Sequence, residues 1–368
     1  MSTNKQSYVL IFTLSIMTLI TVITFQLMHN VFVGTNFDKT MINREHAEML
    51  ALGGINLAIS QLTIREEQKN KDQEIKDESQ KPNEKVFKQF LKRILPHLNR
   101  WQVFTLNEKY EGFDGEIKLC ITSEDGKINI NEAFDFEKKE FKQEYKKLLE
   151  SLSIRGKTAN GEILKKLTAF FKKRNKKIDD ISQIQEVLPQ LDIFFYEPPV
   201  RTKKQSKAFQ NQRVALQDLF TICSSNGKIE PLFLSDSVCS IFRLKRPKAY
   251  DSEKMKTKFK HLIEKLTPDT TQNTDEHWNI LKPIYNKTPQ GLDNYKNIFS
   301  PKFEPKVYSV LSSGKVDNVE QRLLAIIKKV DISQKENQQE KIEVKKEKGK
   351  DKKPLFPKQF KILKIYWL

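Results

Sequence analysis

An uncharged apolar run near the N-terminus is the feature that most constrains how this chain can fold. Residues 8–28 contain no charged side chain, and about 20 uncharged residues in a helix match the thickness of a bilayer's hydrocarbon core. The run predicts a transmembrane helix at residues 8–28, preceded by a short leader at residues 1–7. A cleaved secretory signal would have a shorter apolar core, of about 7–15 residues, and a small-x-small cleavage site. Residues 29–34 offer no such site.

A second, amphipathic segment continues the run. Residues 36–61 contain no proline, and small or apolar residues recur there at three-four spacing, which gives a helix one apolar face. We therefore expect residues 29–65 to extend the transmembrane helix into a single rod. Its apolar face should pack against equivalent helices of partner subunits, in the manner of a coiled coil. The residues of this face are Ala47, Leu50, Ala51, Gly54, Ile55, Ala58 and Leu62.

Charge suggests an orientation and a set of partners. Lys5 is the only charged side chain before the run, and the positive-inside rule then favours a short cytoplasmic N-terminus with the bulk of the chain exported. The net charge of +18 and the pI of about 9.5 would suit nucleic acid, anionic lipid or an acidic protein. A lysine-rich composition inherited from an AT-biased genome would give the same balance. Lysine far exceeds arginine, whereas specific phosphate recognition favours arginine, so nucleic acid is not the partner we expect.

Strand-like segments at both ends of the remaining chain enclose a helical middle. Residues 66–130 hold a charged linker, a helix at 86–98 and a predicted antiparallel hairpin. Short amphipathic helices follow over residues 131–300. Residues 301–368 return to strands, interrupted by a Lys-rich loop at 333–353 that we expect to be disordered. The predicted strands are residues 101–106, 115–122, 306–312, 322–330 and 361–367.

These elements predict an α+β fold: a long N-terminal helix, one antiparallel sheet and a large, mostly helical insertion. An internal echo fits this organisation. Residues 123–131 follow one strand and residues 224–231 follow a strand-like LFTIC segment, and each has a glycine turn leading into a helical stretch. The echo suggests a duplicated strand–turn–helix unit.

Three groups of chemistry-bearing residues have plain structural explanations. Asp275-Glu276-His277 could serve acid–base or metal chemistry, but adjacent residues point in different directions, and a solvated loop is expected. Asp179-Asp180 is predicted to be a helix N-cap. The cysteines show no metal-ligand spacing; a Cys223–Cys239 bridge is open to an exported domain, but we expect three buried free thiols. They are Cys120, Cys223 and Cys239.

Glu124-Asp125 heads a fourth group. The two carboxylates could bind calcium together with the Asn129 and Asn131 amides. Alternatively, Asp125-Gly126 is a turn, and the asparagine side chains hold loop backbone. The sequence contains no Gly-rich phosphate loop, nucleophile elbow or Cys/His pair, so we expect no enzymatic activity.

Together, the motifs resemble protein K of the type II (general) secretion pathway, a family of minor pseudopilins in the type IV pilin-like superfamily. The anchor and the Ala-rich second half of the rod are similar to the family's N-terminal helix. The most specific local match is the turn EDGKININ at residues 124–131, and residues 216–229 and the terminal Tyr366-Trp367 resemble later strands. The family's turn residues fall on Gly126, Ile128, Asn129 and Asn131.

The resemblance implies a pilin-like fold with a SAM-like helical insertion, and it implies a processing site. Prepilin peptidase would cut between Ser7 and Tyr8, although the family usually has glycine at the position of Ser7. Phe12 would then be the fifth mature residue, where major pilins carry a glutamate that protein K homologues lack. Calcium sites occur in relatives, so the resemblance allows calcium, but no carboxylate set of this chain aligns with those sites.

The function implied is assembly of a secretion machine. The chain would be a single-pass protein of the bacterial inner membrane with its bulk in the periplasm, helping to nucleate or cap a pseudopilus for protein export. Its partners would be other minor pseudopilins and the inner-membrane secretion platform. The alternative is a minor pilin of a type IV pilus or DNA-uptake system that binds nucleic acid through its basic insert. A membrane-tethered enzyme lacks any catalytic signature.

Overall fold

The structure is a computed structural model. It describes residues 3–63, 82–150, 153–154, 157–158, 161–188, 216–244, 253–266, 274–285, 293, 295–300, 305–330 and 360–368. The expected disordered loop at residues 333–353 lies outside the described residues, as does most of the charged linker.

One helix, α1 (Thr3–Leu62), runs without a break through the apolar run and the amphipathic segment. At about 1.5 Å per residue it is roughly 90 Å long. Residues 12–42 of this helix are exposed. Contact with the folded part begins where the Lys39 ammonium lies 3.4 Å from an Asp317 carboxylate oxygen. The expectation of a single uninterrupted rod is confirmed.

The segment after α1 contains the predicted helix and hairpin. The helix α2 (Pro82–Ile94) starts earlier than predicted and ends before Pro96. Strand β1 (Trp101–Leu106) pairs antiparallel with β2 (Gly115–Ser123), and the short helix α3 (Glu108–Glu111) lies in the turn between them. Asn107 caps α3 and Gly112 ends it with a φ of 83°, a left-handed conformation that favours glycine.

The insertion between the strands is mostly helical, with short paired segments. Parallel β3 and β8 join its two halves, while β4 pairs with β5 and β6 pairs with β7. Single 3₁₀ turns cover Glu124–Gly126, Ile181–Ile184, Pro231–Phe233 and Lys296–Ile298. The elements in chain order are β3 (Ile128–Asn129), α4 (Ile130–Ala133), β4 (Phe134–Asp135), β5 (Glu140–Phe141), α5 (Gln143–Glu150), β6 (Ser153–Ile154), β7 (Lys157–Thr158), α6 (Glu162–Arg174), α7 (Leu216–Leu219), β8 (Phe220–Thr221), α8 (Asp236–Ile241), α9 (Glu253–Lys265) and α10 (Thr274–Tyr285).

Three long strands complete the main sheet: β9 (Val307–Val316), β10 (Val319–Lys329) and β11 (Phe360–Trp367). Among the described residues, this sheet has five antiparallel strands in the order β1-β2-β9-β10-β11. Its strands come from both sides of the insertion, as predicted. The α+β class, with a long N-terminal helix, an antiparallel sheet and a helical insertion, is confirmed.

Helix α1 packs on one face of this sheet, and this corrects the expected role of its apolar face. Ala47, Ala51 and Ala58 are fully buried, and the remaining residues of that face are buried as well. They contact the chain's own strands: Gly54 lies against Ser312 of β9 and Ile117 of β2, and Gly314 lies against the backbone of α1. The face predicted to meet partner helices is therefore covered by the chain's own sheet. Helical spacing identified the buried side of α1 but not what covers it.

Aromatic clusters form the core of the insertion. Phe171 of α6 contacts Phe134 and Phe141, whose ring centroids lie 5.0 and 5.9 Å away. In the second half of the insertion, Trp278 lies 5.1 Å from Phe299. These rings are buried and belong to the same continuous core as the sheet.

The internal echo is only partly reproduced. Its second copy contains the two-residue strand β8, because Leu219 still belongs to α7, and residues 222–228 have bends but no helix or strand. The helix predicted at residues 181–191 is a 3₁₀ turn at Ile181–Ile184, and residues 189–191 lie outside the described part. The two echoed segments do lie side by side, since β3 of the first pairs with β8 at the second.

Candidate assembly surface and insertion junction

A second apolar stripe lies on the outward side of α1. Ile42, Met49 and Leu52 are spaced by seven and three residues, so they share one side of the helix. Their exposed fractions are 53, 58 and 43%. Glu45 lies between them and is also exposed. We call Ile42, Glu45, Met49 and Leu52 the outward stripe.

The outward stripe was missed by the sequence analysis. Its signal is weaker than that of the buried face, because it has only three apolar residues and Glu45 lies among them. Periodicity alone does not say which face meets the chain's own sheet and which is left exposed. The small residues decided the outcome: Gly54 and the alanines allow close approach to a sheet, whereas Met49 and Leu52 would hold the backbones apart.

The N-terminal part of α1 is long and apolar enough to cross a membrane, by its length and composition. Within the described residues, this is the one helix that meets that test. Ser7 and Tyr8 lie inside the helix, one turn after its first residue. Phe12 is 67% exposed and belongs to the candidate span.

The family-like turn lies at the base of the insertion, where the chain leaves β2. Asp125 is fully buried in the 3₁₀ turn Glu124–Gly126. Its carboxylate accepts backbone N–H groups from Ser225 at 2.6 Å, Lys306 at 2.8 Å and Val307 at 3.0 Å. The first donor belongs to the second half of the insertion and the others to the start of β9. One side chain thus holds together the exit from the sheet, the insertion and the return to the sheet.

Burial and hydrogen bonding act in opposite directions on Asp125. Burial raises the pKa of its carboxyl above the ordinary value, and the three backbone N–H groups offset only part of that rise. A buried carboxylate persists only where donors compensate its desolvation. Its role here is to satisfy backbone amides at a three-way junction.

The neighbouring Glu124 completes a buried ion pair. Its carboxylate accepts from the Lys127 ammonium and from the Thr221 hydroxyl. The Lys127 ammonium also lies 3.2 Å from the Ser309 hydroxyl on β9. A calcium ion does not fit this pair of carboxylates, because a lysine ammonium occupies one of them and backbone amides occupy the other. Among the described residues, no group of three or more His, Cys, Asp or Glu could hold a metal ion.

The remaining turn residues pack or bind backbone. A Cβ on Gly126 would overlap the carbonyl group of Phe233, so only glycine fits there. Ile128 is fully buried beside Phe220. The Asn129 side chain accepts from the N–H groups of Asn131 and Glu132 and donates to Ser224. The alternative that the asparagines hold loop backbone describes this turn correctly.

Asn131 joins the turn to the end of the first helical half. Its amide donates to the Ile178 carbonyl and accepts from the Ile178 N–H, both at 2.9 Å. Two residues further along, Asp180 caps the 3₁₀ turn by accepting from Ser182 N–H, as predicted. Tyr366 of β11 donates to Asp180 at 2.5 Å. The last strand is therefore fastened to the insertion.

The other candidate clusters are separate from this junction. Asp275, Glu276 and His277 lie at the start of α10 and not in a loop, which corrects that expectation. Glu276 is exposed. Cys120, Cys223 and Cys239 are free thiols, so no Cys223–Cys239 bridge is formed.

Comparison with solved structures found similar chains. No family model and no curated protein matches the chain. The chain is similar to one in the crystal structure of the GspK-GspI-GspJ complex from the type 2 secretion system of enterotoxigenic Escherichia coli. Sequence identity is 12%, the match covers 92% of this chain and 99% of that chain, and the TM-score is 0.39. The functional proposal for this chain therefore depends on its own residues.

Proposed function

We propose that the chain is a membrane-anchored assembly subunit of the minor pseudopilin type, and that the outward stripe is its contact with partner helices. The observation that carries the proposal is the division of α1. Its N-terminal part has the length and composition of a membrane span, its inner face is buried on the sheet, and three apolar side chains of its outward stripe remain exposed. A regular apolar stripe on an exposed helix face is typical of a helix–helix contact.

The position of the stripe supports this role. Ile42 lies about 21 Å along the helix from Met28, the last residue of the expected span, at about 1.5 Å per residue. Partner subunits anchored in the same membrane would present their own helices at that height. Glu45, within the stripe, would face a polar or basic group of the partner. Burying the three apolar side chains would contribute about 25 cal/mol per Å² of apolar surface removed from water.

The absence of a carboxylate at Phe12 supports a position at the end of a filament. A glutamate inside the bilayer is costly unless it is paired, for instance with the new amino terminus of a neighbouring subunit. If processing follows Ser7, Phe12 takes the place of that glutamate, and the subunit requires no such neighbour. We therefore propose that it nucleates or caps a pseudopilus, with its bulk in the periplasm and other minor pseudopilins as partners. The role is non-catalytic.

The basic insert gives less support to nucleic-acid binding. Several of its cations already face carboxylates: Lys166 lies 2.7 Å from Glu162, and Lys177 lies 2.8 Å from Glu132. Paired lysines offer little net positive field to a phosphate backbone.

Co-purification from native membranes tests the proposal. The full chain, extracted in mild detergent, should retain at least one partner that has its own N-terminal apolar helix. Met49→Glu should reduce that recovery at least tenfold, because it places a charge in the contact. Tyr110→Glu is the matched control, since Tyr110 is 78% exposed on α3, outside the outward stripe. Recovery of the chain alone, or equal losses in both variants, would contradict the proposal.

A further inference from the structure

In the part of the chain that the structure describes, strand β1 forms an edge of the main sheet and lacks the usual protection of an edge. Among the described residues, β1 pairs only with β2. Its sequence, WQVFTL, contains no charge, proline or glycine. Exposed edges are normally blunted by lysine, proline or a bulge, because their free backbone groups can pair with another chain. The opposite edge, β11, has such devices: Lys361, Lys364 and a register shift between Ile326 and Ile327 of its neighbour.

The side chains of β1 are also arranged to receive another strand. Trp101 and Val103 point to the face opposite α1 and are 39 and 54% exposed. Trp101 begins a row of side chains that crosses all five strands, and none of them is fully buried. A strand added beside β1 would extend this row and cover Trp101 and Val103. The row consists of Trp101, Cys120, Leu311, Leu324 and Tyr366.

The two ends of β1 carry opposite charge. Arg100 precedes the strand and Arg93 lies nearby on α2, and both lower the pKa of His97 in addition to the effect of burial. At the other end, Glu108 and Glu111 of α3 and Asp114 are exposed, with Lys109 as the one cation among them. The edge is therefore positive where β1 begins and negative where it ends.

We propose that β1 is a docking edge for an antiparallel strand of another protein. The strand would have alternating apolar residues, a basic residue at its N-terminal end facing Glu108, and an acidic residue at its C-terminal end facing Arg100. This interaction is additional to the helix contact proposed above. Backbone pairing would supply affinity, and the end charges would fix the direction.

A second copy of the chain does not suit this edge, an argument that rests on the proposed membrane anchor. Helix α1 runs antiparallel to β9, since Ala47 lies at Gly314 and Gly54 lies at Ser312. Two copies paired antiparallel through β1 would point their α1 helices in opposite directions. Both could not then be anchored in one membrane from the same side.

Two end-capped peptides of identical composition test the proposal with the full chain in detergent. KTVTVTVE places its charges as proposed, and ETVTVTVK reverses them. We expect KTVTVTVE to bind at least tenfold more tightly, measured by fluorescence anisotropy. A strand presents every second N–H to its neighbour. N-methylation of one alternate set of peptide amides should therefore abolish binding, and N-methylation of the other set should preserve it.

Charge-reversal variants locate the site. Arg100→Glu and, independently, Glu108→Lys should each reduce the preference for KTVTVTVE at least threefold, whereas Lys361→Glu on the opposite edge should leave it unchanged. Thermal unfolding of each variant verifies that it is folded. Equal binding of the two peptides, no binding of either, or equal sensitivity to N-methylation of the two sets would overturn the proposal. If light scattering shows a dimer of this chain that does not bind the peptide, the edge belongs to a second copy, and the proposal is overturned as well. None of these readouts requires partner helices, so the proposed function can fail independently.

Discussion

At the scale of single residues, close backbone approaches hold the helix and the insertion to the sheet. Gly314 of β9 lies directly beneath α1, where a Cβ would overlap the Ala47 carbonyl oxygen and lie 2.7 Å from the Ala51 nitrogen. The atoms in the way are backbone, so no side-chain rotation can relieve the overlap. Gly126 has the same relation to Phe233 at the insertion junction.

Gly314→Ala should therefore destabilise the protein by about 1–3 kcal/mol, the usual cost of forcing extra volume into a packed site. Urea unfolding of the full chain in detergent would measure the change. Gly53→Ala is the matched control, because no atom lies within 4 Å of the added Cβ. That variant should gain about 0.8–1 kcal/mol from helix propensity. Similar midpoints for the two variants would contradict the observed contact between α1 and β9.

Asp125→Asn should also destabilise the fold, although it removes a buried charge. The carboxylate receives three backbone N–H groups on two oxygens, and an asparagine nitrogen cannot accept any of them. Leaving a buried donor unsatisfied costs about 1–3 kcal/mol. Asp317→Asn serves as the control, since that side chain is 54% exposed. A neutral effect of Asp125→Asn in the same unfolding assay would show that these three hydrogen bonds do not stabilise the fold.

At the scale of elements, the sequence predicted well where the main strands and the long helix lie, and it predicted poorly which segments they contact. Apolar runs with β-branched residues located β1, β2, β9, β10 and β11, because each strand signals its own burial. Contacts between distant segments leave no such local signal. The Asp125 carboxylate accepts hydrogen bonds from residues about 100 and 180 positions further along the chain. The motif at residues 124–131 does not indicate which N–H groups these are. For the same reason, the sequence analysis wrongly predicted that the buried face of α1 packs against partner helices: the spacing along α1 carries no information about the distant strands that cover it.

The fastening of β11 to the insertion should depend on pH. Burial is the largest effect on Asp180 and raises its pKa, but hydrogen bonds from Tyr366 and Ser182 outweigh it and leave the pKa below the ordinary 3.8. A lowered pKa in the folded state means that ionised Asp180 stabilises the fold above pH 3.8, and that this contribution is lost as the pH falls through the folded-state pKa. Asp180→Asn keeps the N-cap and removes the charge.

The stability difference between the native chain and Asp180→Asn should therefore be present near neutral pH and shrink below about pH 3.8. Urea unfolding across this range gives the difference directly. Tyr366→Phe should show the same loss at neutral pH, because it removes the donor. A difference that stayed constant with pH would show that the Asp180 charge has no part in holding β11.

At the scale of the whole molecule, one helix joins a candidate membrane span to the folded part of the chain. Its N-terminal part is exposed and apolar, and its C-terminal part packs on the sheet through Ala47, Ala51 and Ala58. The outward stripe lies in the second part. Under the proposed function, a partner would therefore contact α1 outside the membrane, where α1 is packed on the chain's own sheet. The insertion is fixed to the same sheet through Asp125 and Asp180, and its position should therefore follow that of the rod.

Site-specific photocrosslinking in native membranes tests this account most directly. A photoreactive amino acid would replace Ile42, Met49 or Leu52 in the full chain, with Tyr110 as the exposed control position. The account predicts crosslinks from each of these three apolar positions to the N-terminal helix of another membrane-anchored protein, and none to that helix from position 110. Crosslinks confined to lipid or solvent at the stripe, or a partner helix reached equally from position 110, would contradict it.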